Sequence, residues 1–182
     1  MPQTTFYTTS YDSPIGRIAL ASDGKVLTGL WFVGQKYYAA HLPDSRMEKG
    51  ELPIFVETLL WLNTYFSGKA PDFTPSLRAE GSEFRQNVWK QLLSIPFGKT
   101  LTYGEIARRV AQERGLLSLS AQAIGGAVGH NPISLIIPCH RVVGAKGEMT
   151  GYAAGIEKKR WLLELEQAGS VEPPRNDTDL FC

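Results

Sequence analysis

A chain of 182 residues that is 43% hydrophobic, with four Trp, has ample material for one domain or two small ones and needs no disulfide or metal staple. A formal net charge of +1 excludes a uniformly basic protein, and no apolar run approaches the ~20 residues of a membrane span. The start, Met1-Pro2-Gln3-Thr4-Thr5, is no signal peptide, and the two cysteines, Cys139 and Cys182, make no disulfide framework and fit a reducing, intracellular setting. Phe6 to Phe32 reads as strands: Arg17-Ile18-Ala19-Leu20 alternates, Asp23-Gly24 signals a hairpin, and Val26 to Phe32 supplies the partner. Val33 to Gly50 is weakly patterned and reads as loop. Pro53 suits a helix start, and Phe55, Leu59, Leu62 and Phe66 recur at helical spacing as far as Ser67-Gly68. Nothing catalytic stands out before Ala70, so this half reads as support. Ala70 to Ala79, with Pro71 and Pro75, reads as a linker.

Ser82 is placed to cap the next helix, whose apolar face is Phe84, Val88, Trp89 and Leu92, and Ile95-Pro96-Phe97-Gly98 ends it. Thr102-Tyr103-Gly104-Glu105 is a capping box. The helix it opens, through Ile106, Ala107 and Val110, should stop near Gly115, and a second runs from Ser120 to Gly129. Two short helices with a turn between them predict a helix-turn-helix. The second is built of Ala121, Ala123, Gly125, Gly126, Ala127 and Gly129. Glycine costs about 1 kcal/mol per interior helix position relative to alanine, so something must approach closely. Pattern alone leaves open whether that is another helix or a nucleic-acid backbone.

Charge distribution bears on the choice. Between Glu83 and Arg160 eleven Lys or Arg face five Glu, a local charge of +6, while the remainder carries −5. A basic C-terminal half on a near-neutral chain is an electrostatic footprint of the kind nucleic acids meet; the alternative is a solvated face.

Asn131-Pro132 forms a turn, and Ile136-Ile137-Pro138-Cys139-His140-Arg141-Val142 follows. The apolar run predicts an extended segment, with Pro138 locking φ before the thiol. Neighbouring side chains on such a segment diverge, so a water is the expected link between Cys139 and His140. A thiol with a base and a cation beside it reads as a nucleophile rather than a buried structural Cys. Val142-Val143 leads into a glycine-punctuated loop, Gly144 to Tyr152. A last helix spans Gly155 to Gln167 with Ile156, Leu162, Leu163 and Leu165 apolar and Gly169 as cap. The tail from Ser170, with Pro173-Pro174, reads as mobile. A zinc site from Cys139, His140 and His130 lacks any C-x-x-C or H-x-x-x-H pairing, and His41 reads as incidental.

Pro138-Cys139-His140-Arg141-Val142, preceded by Gly129-His130-Asn131-Pro132, resembles the active-site signature of the O6-alkylguanine-DNA alkyltransferases, also called methylated-DNA–protein-cysteine methyltransferases. The likeness runs from about Phe84 through Glu166 and, more loosely, over the N-terminal part. It implies an α+β chain: a small N-terminal α/β, ribonuclease H-like domain with its linker (1–79), a mostly helical, winged helix-turn-helix-like DNA-binding and alkyl-transfer domain (80–169), and the tail (170–182). The implied activity is DNA repair by stoichiometric transfer of the alkyl group from O6-alkylguanine, and from O4-alkylthymine, to Cys139 of a flipped-out base's pocket. His140 would relay the thiol proton through a water, Glu166 would orient His140, and Asn131 would brace the turn. Tyr103 would donate to the base or crowd the flanking phosphate. The pocket would be formed by Val128, Ser134, Pro138, Val142, Met149, Tyr152, Ala153 and Ala154. DNA would meet Tyr103, Ser120, Ala121, Gln122, Ala123, Gly125, Gly126 and Arg141, the helix entering the minor groove.

The resemblance implies no cofactor and no metal; some relatives carry an N-terminal zinc site, but residues 1–138 here contain no Cys. The partners it implies are double-stranded DNA carrying these lesions and single-stranded DNA, with no membrane, bound by a monomer in the cytoplasm, nucleoid-associated in a bacterium. Two features depart from the family pattern. Gln122 stands where relatives commonly place an arginine that fills the gap left by the flipped base, after a longer turn through Gln112 to Leu119. Ala153-Ala154 replaces a Ser-Gly or Gly-Gly pair, which predicts a restricted pocket. A cysteine hydrolase and an alkyltransferase-like damage-binding module are the competing classes, the second disfavoured because Cys139 is retained.

Overall fold

The computed structural model describes residues 5–40, 42 and 47–169. His41, Cys182 and the predicted mobile tail lie outside them. Three antiparallel strands, β1 (Phe6–Ser13), β2 (Gly16–Ser22) and β3 (Leu27–Phe32), form a meander. The first turn places Gly16 at φ +127° and is tied by the Ser13 hydroxyl, which donates to the Gly16 carbonyl. The second is the predicted Asp23-Gly24 turn: Asp23 Oδ1 accepts from the Lys25 and Val26 amides, and Gly24 takes φ +97°. A fourth strand, β4 (Met47–Lys49), runs parallel to β1 at the opposite edge from β3, giving the order β3-β2-β1-β4. The loop expected through Gly50 therefore ends in a strand. Three residues carry no period, and only pairing with Phe6 to Thr8 defines them.

Helix α1 (Pro53–Phe66) starts at the predicted proline, but its buried face is Ile54, Phe55, Thr58, Trp61, Leu62 and Tyr65. Leu59 and Phe66 are only partly buried, so the helix is rotated to put Trp61 and Tyr65 into the core. α2 (Glu83–Leu93) is capped by Ser82, whose hydroxyl accepts from the Arg85 amide. α3 (Tyr103–Glu113) opens with the full capping box, Thr102 Oγ1 accepting from Glu105 N and Glu105 Oε2 from Thr102 N. α4 (Ala121–Gly129) is capped by Ser120 and packs on α2 and α3, with the Trp89 indole N–H donating to the Ala127 carbonyl at 2.9 Å. α5 (Ile156–Ala168) ends in the left-handed Gly169.

One hydrophobic cluster joins the two halves, running from Ile18, Leu20 and Leu30 through Leu62 and Tyr65 to Ile124, Ile133, Leu162 and Leu165. The open edge of β3 is used as well. Leu30 N donates to the Pro132 carbonyl, and the Leu30 carbonyl accepts from Ser134 N, both at 2.9 Å. Burying a strand edge demands partners for its amides, and here the segment leading to Cys139 supplies them.

That segment is not extended. Residues 134–136 form a turn, with Leu135 at φ +69°, residue 137 is a bend, and Cys139–Arg141 is a single 3-10 turn. An apolar run reports burial and not conformation. Here the amides of Ile136, Ile137 and Cys139 find carbonyls two to four residues back, so no strand partner is needed. A two-stranded parallel ladder of β5 (Leu101–Thr102) and β6 (Val142–Val143) then sets the start of α3 beside the end of this turn.

Candidate active site

The 3-10 turn presents Cys139, 4% exposed, at the floor of a cleft of about 800 Å³. Asn131 clamps the turn from within. Its Nδ2 donates to the Ile137 carbonyl at 2.7 Å, its Oδ1 accepts from Ile133 N at 3.0 Å, and its side chain also reaches the Cys139 thiol. Burial pushes that thiol above its ordinary range; the Asn131 bond, the Lys159 charge and the amides of residues 139 and 140 oppose the rise. A thiol in this setting needs a base.

His140 is wholly buried and turned the other way, with Nε2 2.6 Å from Glu166 Oε1. Glu166, late in α5, is a hub. It accepts from the Arg141 guanidinium at both oxygens, from the Tyr65 hydroxyl at 2.8 Å and from Gly98 N at 3.1 Å. Burial disfavours its ionisation, yet the bonds and charges of His140 and Arg141 prevail and hold it at about 2. Burial pushes the His140 imidazole below its ordinary value, with Glu166 opposing and the charges of Arg141 and Lys159 adding. An ionised carboxylate beside a neutral imidazole fixes the tautomer: Nε2 carries the proton and Nδ1 is left as the acceptor. Nδ1 is buried and has no hydrogen-bond partner among the described residues.

Arg141 therefore does not face DNA. It is 8% exposed, donates through Nη1 to the Ile95 carbonyl at 2.7 Å and is committed to Glu166 with the rest of its guanidinium. A buried carboxylate requires such a partner more than a solvated phosphate does. Lys159 is interior too, 0% exposed, its ammonium donating to the carbonyls of Val142 (2.5 Å), Thr150 (3.1 Å) and Gly151 (3.3 Å). Burial lowers its pKa to about 8, the Cys139 thiol acting the other way. Sequence reading counted Lys159 among the eleven basic residues of the C-terminal half. The signal that would have found it is its spacing: Lys159, Leu162, Leu163 and Glu166 form an i, i+3, i+4, i+7 stripe on the buried face of α5.

Of the expected pocket residues, Val128, Ser134, Tyr152 and Ala153 line the cleft, joined by Tyr103. Tyr103 begins α3 and donates its hydroxyl to the Thr150 carbonyl at 3.2 Å. The Tyr152 hydroxyl is buried without a partner among the described residues, and burial holds its ionisation well above the ordinary value. Pro138, Val142, Met149 and Ala154 are not lining residues. Pro138 and Val142 are buried beside the turn, and Ala154 packs on the hydrophobic core. Of the Ala153-Ala154 pair expected to restrict the pocket, Ala153 is the residue at the cleft wall. Missed altogether were Lys36 and Tyr37, which rim the cleft beside His130. Tyr37 stacks on His130 at 3.9 Å, and Lys36 N donates to the Ala153 carbonyl at 3.0 Å. Nothing local marks them, because they reach the cleft from the N-terminal half.

Among the α4 residues expected at DNA, Ala121, Gln122, Gly125 and Gly126 line the cleft mouth, Ala123 is exposed, and Ser120 is occupied as the cap. The glycines bear on the question left open by their pattern. A Cβ at Gly126 or Gly129 would meet nothing within 4 Å, and at Gly125 only the Tyr103 ring at 3.9 Å. Packing within the chain does not require them. Among the described residues no group of three or more His, Cys, Asp or Glu is placed to hold a metal ion, and no helix is long and apolar enough to cross a membrane.

Residues 83–168 match the family model of the 6-O-methylguanine DNA methyltransferase DNA-binding domain, and residues 6–79 that of the same family's ribonuclease-like domain. The chain belongs to the 6-O-methylguanine DNA methyltransferase family. It is 44% identical over 160 residues to the methylated-DNA–protein-cysteine methyltransferase of Mycobacterium tuberculosis, covering 86% of this chain and 90% of the relative. To the enzyme of that name from Haemophilus influenzae it is 38% identical over 177 residues, covering 96% and 94%. The crystal structure of Mycobacterium tuberculosis OGT in complex with DNA superposes with a TM-score of 0.78 at 41% identity, over 90% of this chain and 94% of the other. Family membership agrees with the α+β architecture seen here, a small N-terminal sheet domain followed by a helical one.

Proposed function

We propose that this protein repairs DNA by taking the alkyl group of O6-alkylguanine, and of O4-alkylthymine, onto Cys139 in a single turnover. The family makes it a methylated-DNA–protein-cysteine methyltransferase, and a relative of similar fold has been captured on DNA. The observation that carries the residue assignment is the orphaned acceptor of His140. Glu166 holds Nε2–H, leaving a neutral Nδ1 in the buried turn that also carries the thiol. The thiol proton passes to His140 through a water, the S–C bond forms as the O6–C bond breaks in line, and the base leaves as an oxyanion that takes up a proton. Glu166 stabilises the imidazolium that forms. Asn131 braces the turn, while Tyr103 and Tyr152 act as donors to the bound base; a Tyr152 hydroxyl kept protonated by burial suits that task.

A base within a duplex cannot reach a thiol at the floor of a cleft, so the nucleotide is flipped out, at a cost of a few kcal/mol. α4 enters the minor groove through Ala121, Ala123, Gly125 and Gly126, whose small or absent side chains admit the backbone. Gln122 occupies the gap left in the stack, and Ser120 holds the helix end nearest the phosphates. Single strands are substrates as well, and the monomer is the working unit.

Intact-mass measurement after incubation with a duplex carrying O6-methylguanine tests the reading. One methyl group should appear on the peptide containing Cys139, with no second turnover, because a thioether is a poor leaving group. Transfer surviving in Cys139→Ser, or damaged DNA bound but left alkylated, would overturn it.

A further inference from the structure

Tyr65 lies on α1, in the half of the chain that sequence patterning treats as support. Its side chain is 0% exposed. The ring stacks on Trp61 at 5.3 Å and meets Phe66, Phe97 and the His140 imidazole edge-on, at 5.3, 5.9 and 6.2 Å. A buried phenol must place its hydroxyl on a partner. This one donates to Glu166 Oε1 at 2.8 Å and lies 3.2 Å from His140 Nε2.

We infer that Tyr65 is a positioning residue for alkyl transfer: its hydroxyl and His140 Nε2–H share one carboxylate oxygen, so the N-terminal half sets how strongly Glu166 holds the base. The inference deepens the repair reading and rests on it. An oxygen that serves several donors is a weaker acceptor for each. Oε1 serves Tyr65, His140 and Arg141 together. Tyr65 keeps its proton, since burial and then the Glu166 charge push its ionisation well above the ordinary value. It is thus a permanent competitor for Glu166, and it keeps the imidazole neutral in the resting protein. Without the hydroxyl, Glu166 would concentrate on His140 and favour the imidazolium before the thiol proton arrives. The base would then be consumed at a higher pH. The other groups facing His140 are Arg141 of its own turn and Lys159 of α5, besides its chain neighbour Cys139.

The test uses the full chain and the variant Tyr65→Phe, which keeps the stacked ring and removes one oxygen. Single-turnover rates on a duplex with O6-methylguanine are measured from pH 5 to 9, and the 15N signals of the His140 ring are titrated in the protein without DNA. The expected result is a His140 titration and an acidic limb of the rate profile both moved up by about half a pH unit or more, roughly a threefold change in the proton equilibrium. Tyr65→3-fluorotyrosine, a stronger donor that also covers a Phe variant too unstable to study, should move both downward. Tyr11→Phe, which removes an exposed hydroxyl bonded to Asn63 of the same helix, should move neither. A uniform loss of rate at every pH with the His140 titration unmoved would make Tyr65 a packing residue and overturn the inference. Because the titration needs no DNA, that failure is distinct from a wild type that never alkylates Cys139, which would instead bring down the repair reading.

Discussion

Arg141→Met keeps the unbranched apolar stem of the side chain and removes the permanent charge beside Glu166. The fall of the Glu166 carboxyl from an ordinary 4.5 to about 2 corresponds to about 3 kcal/mol of native-state preference for the ionised form. His140, which is protonated in the acidic range where Glu166 titrates, and Arg141 both contribute to it, so the guanidinium accounts for part. Loss of one partner from a buried pair costs about 3–5 kcal/mol by a separate route, and that figure sets the size expected for the variant at neutral pH. The sign follows from the depressed pKa. This stabilisation is complete above pH 4.5 and is lost as pH falls toward 2. Urea unfolding should therefore show the variant about 3 kcal/mol less stable than wild type at pH 7 and only about 1 kcal/mol less stable at pH 3. An equal deficit at both pH values would show that Arg141 acts through packing and not through the Glu166 charge. A deficit below about 1 kcal/mol at pH 7 would refute the buried ion pair as a structural element.

Lys159→Met should cost about 1–3 kcal/mol, because carbonyls of Val142, Thr150 and Gly151 lose their donor; it should also shift modification of Cys139 by iodoacetamide to higher pH, since the nearby cation lowers the thiol pKa. Unchanged thiol reactivity would exclude that electrostatic role. Gly126→Ala places a methyl group in open space, so thermal melts should show a gain of about 0.5–1 kcal/mol while duplex binding weakens; unaltered binding would remove α4 from the DNA interface. Gln122→Arg should tighten binding to undamaged duplex and steepen its log–log salt dependence by about one phosphate's worth, and an unchanged slope in titrations across salt would place residue 122 away from the backbone.

Local chemistry determined the helices of this protein. Ser82, Thr102 with Glu105, and Ser120 satisfy orphan amides within three residues of themselves, Pro53 opens α1, and Gly169 closes α5 in the one conformation glycine enters freely. Such interactions are readable because both partners lie in one short stretch. The Cys139-His140 signature was equally legible, as was the pairing of Glu166 with His140 once the resemblance was seen. What the stretch around Cys139 does in space was not. Apolar residues from Ile133 to Ile137 satisfy burial equally as a strand or as a turn. The choice fell to Asn131 and to the edge of β3, a hundred residues earlier.

Charge was the least transferable reading. Two of the eleven basic residues counted toward a nucleic-acid footprint, Arg141 and Lys159, point inward. A guanidinium or ammonium carries the same formal charge in solvent as in the core, and only the position of Glu166 and of the carbonyls of Val142, Thr150 and Gly151 decides where it goes. Tyr65 shows the same limit from the other side. In sequence it is one aromatic on an amphipathic helix; folding of α1 against α5 brings its hydroxyl to 2.8 Å from a carboxylate 101 positions away. Sequence by itself determined which groups were available and which segments were helical. Tertiary structure alone decided which buried polar groups would have to satisfy one another, because that requirement arises only when water has been excluded from both.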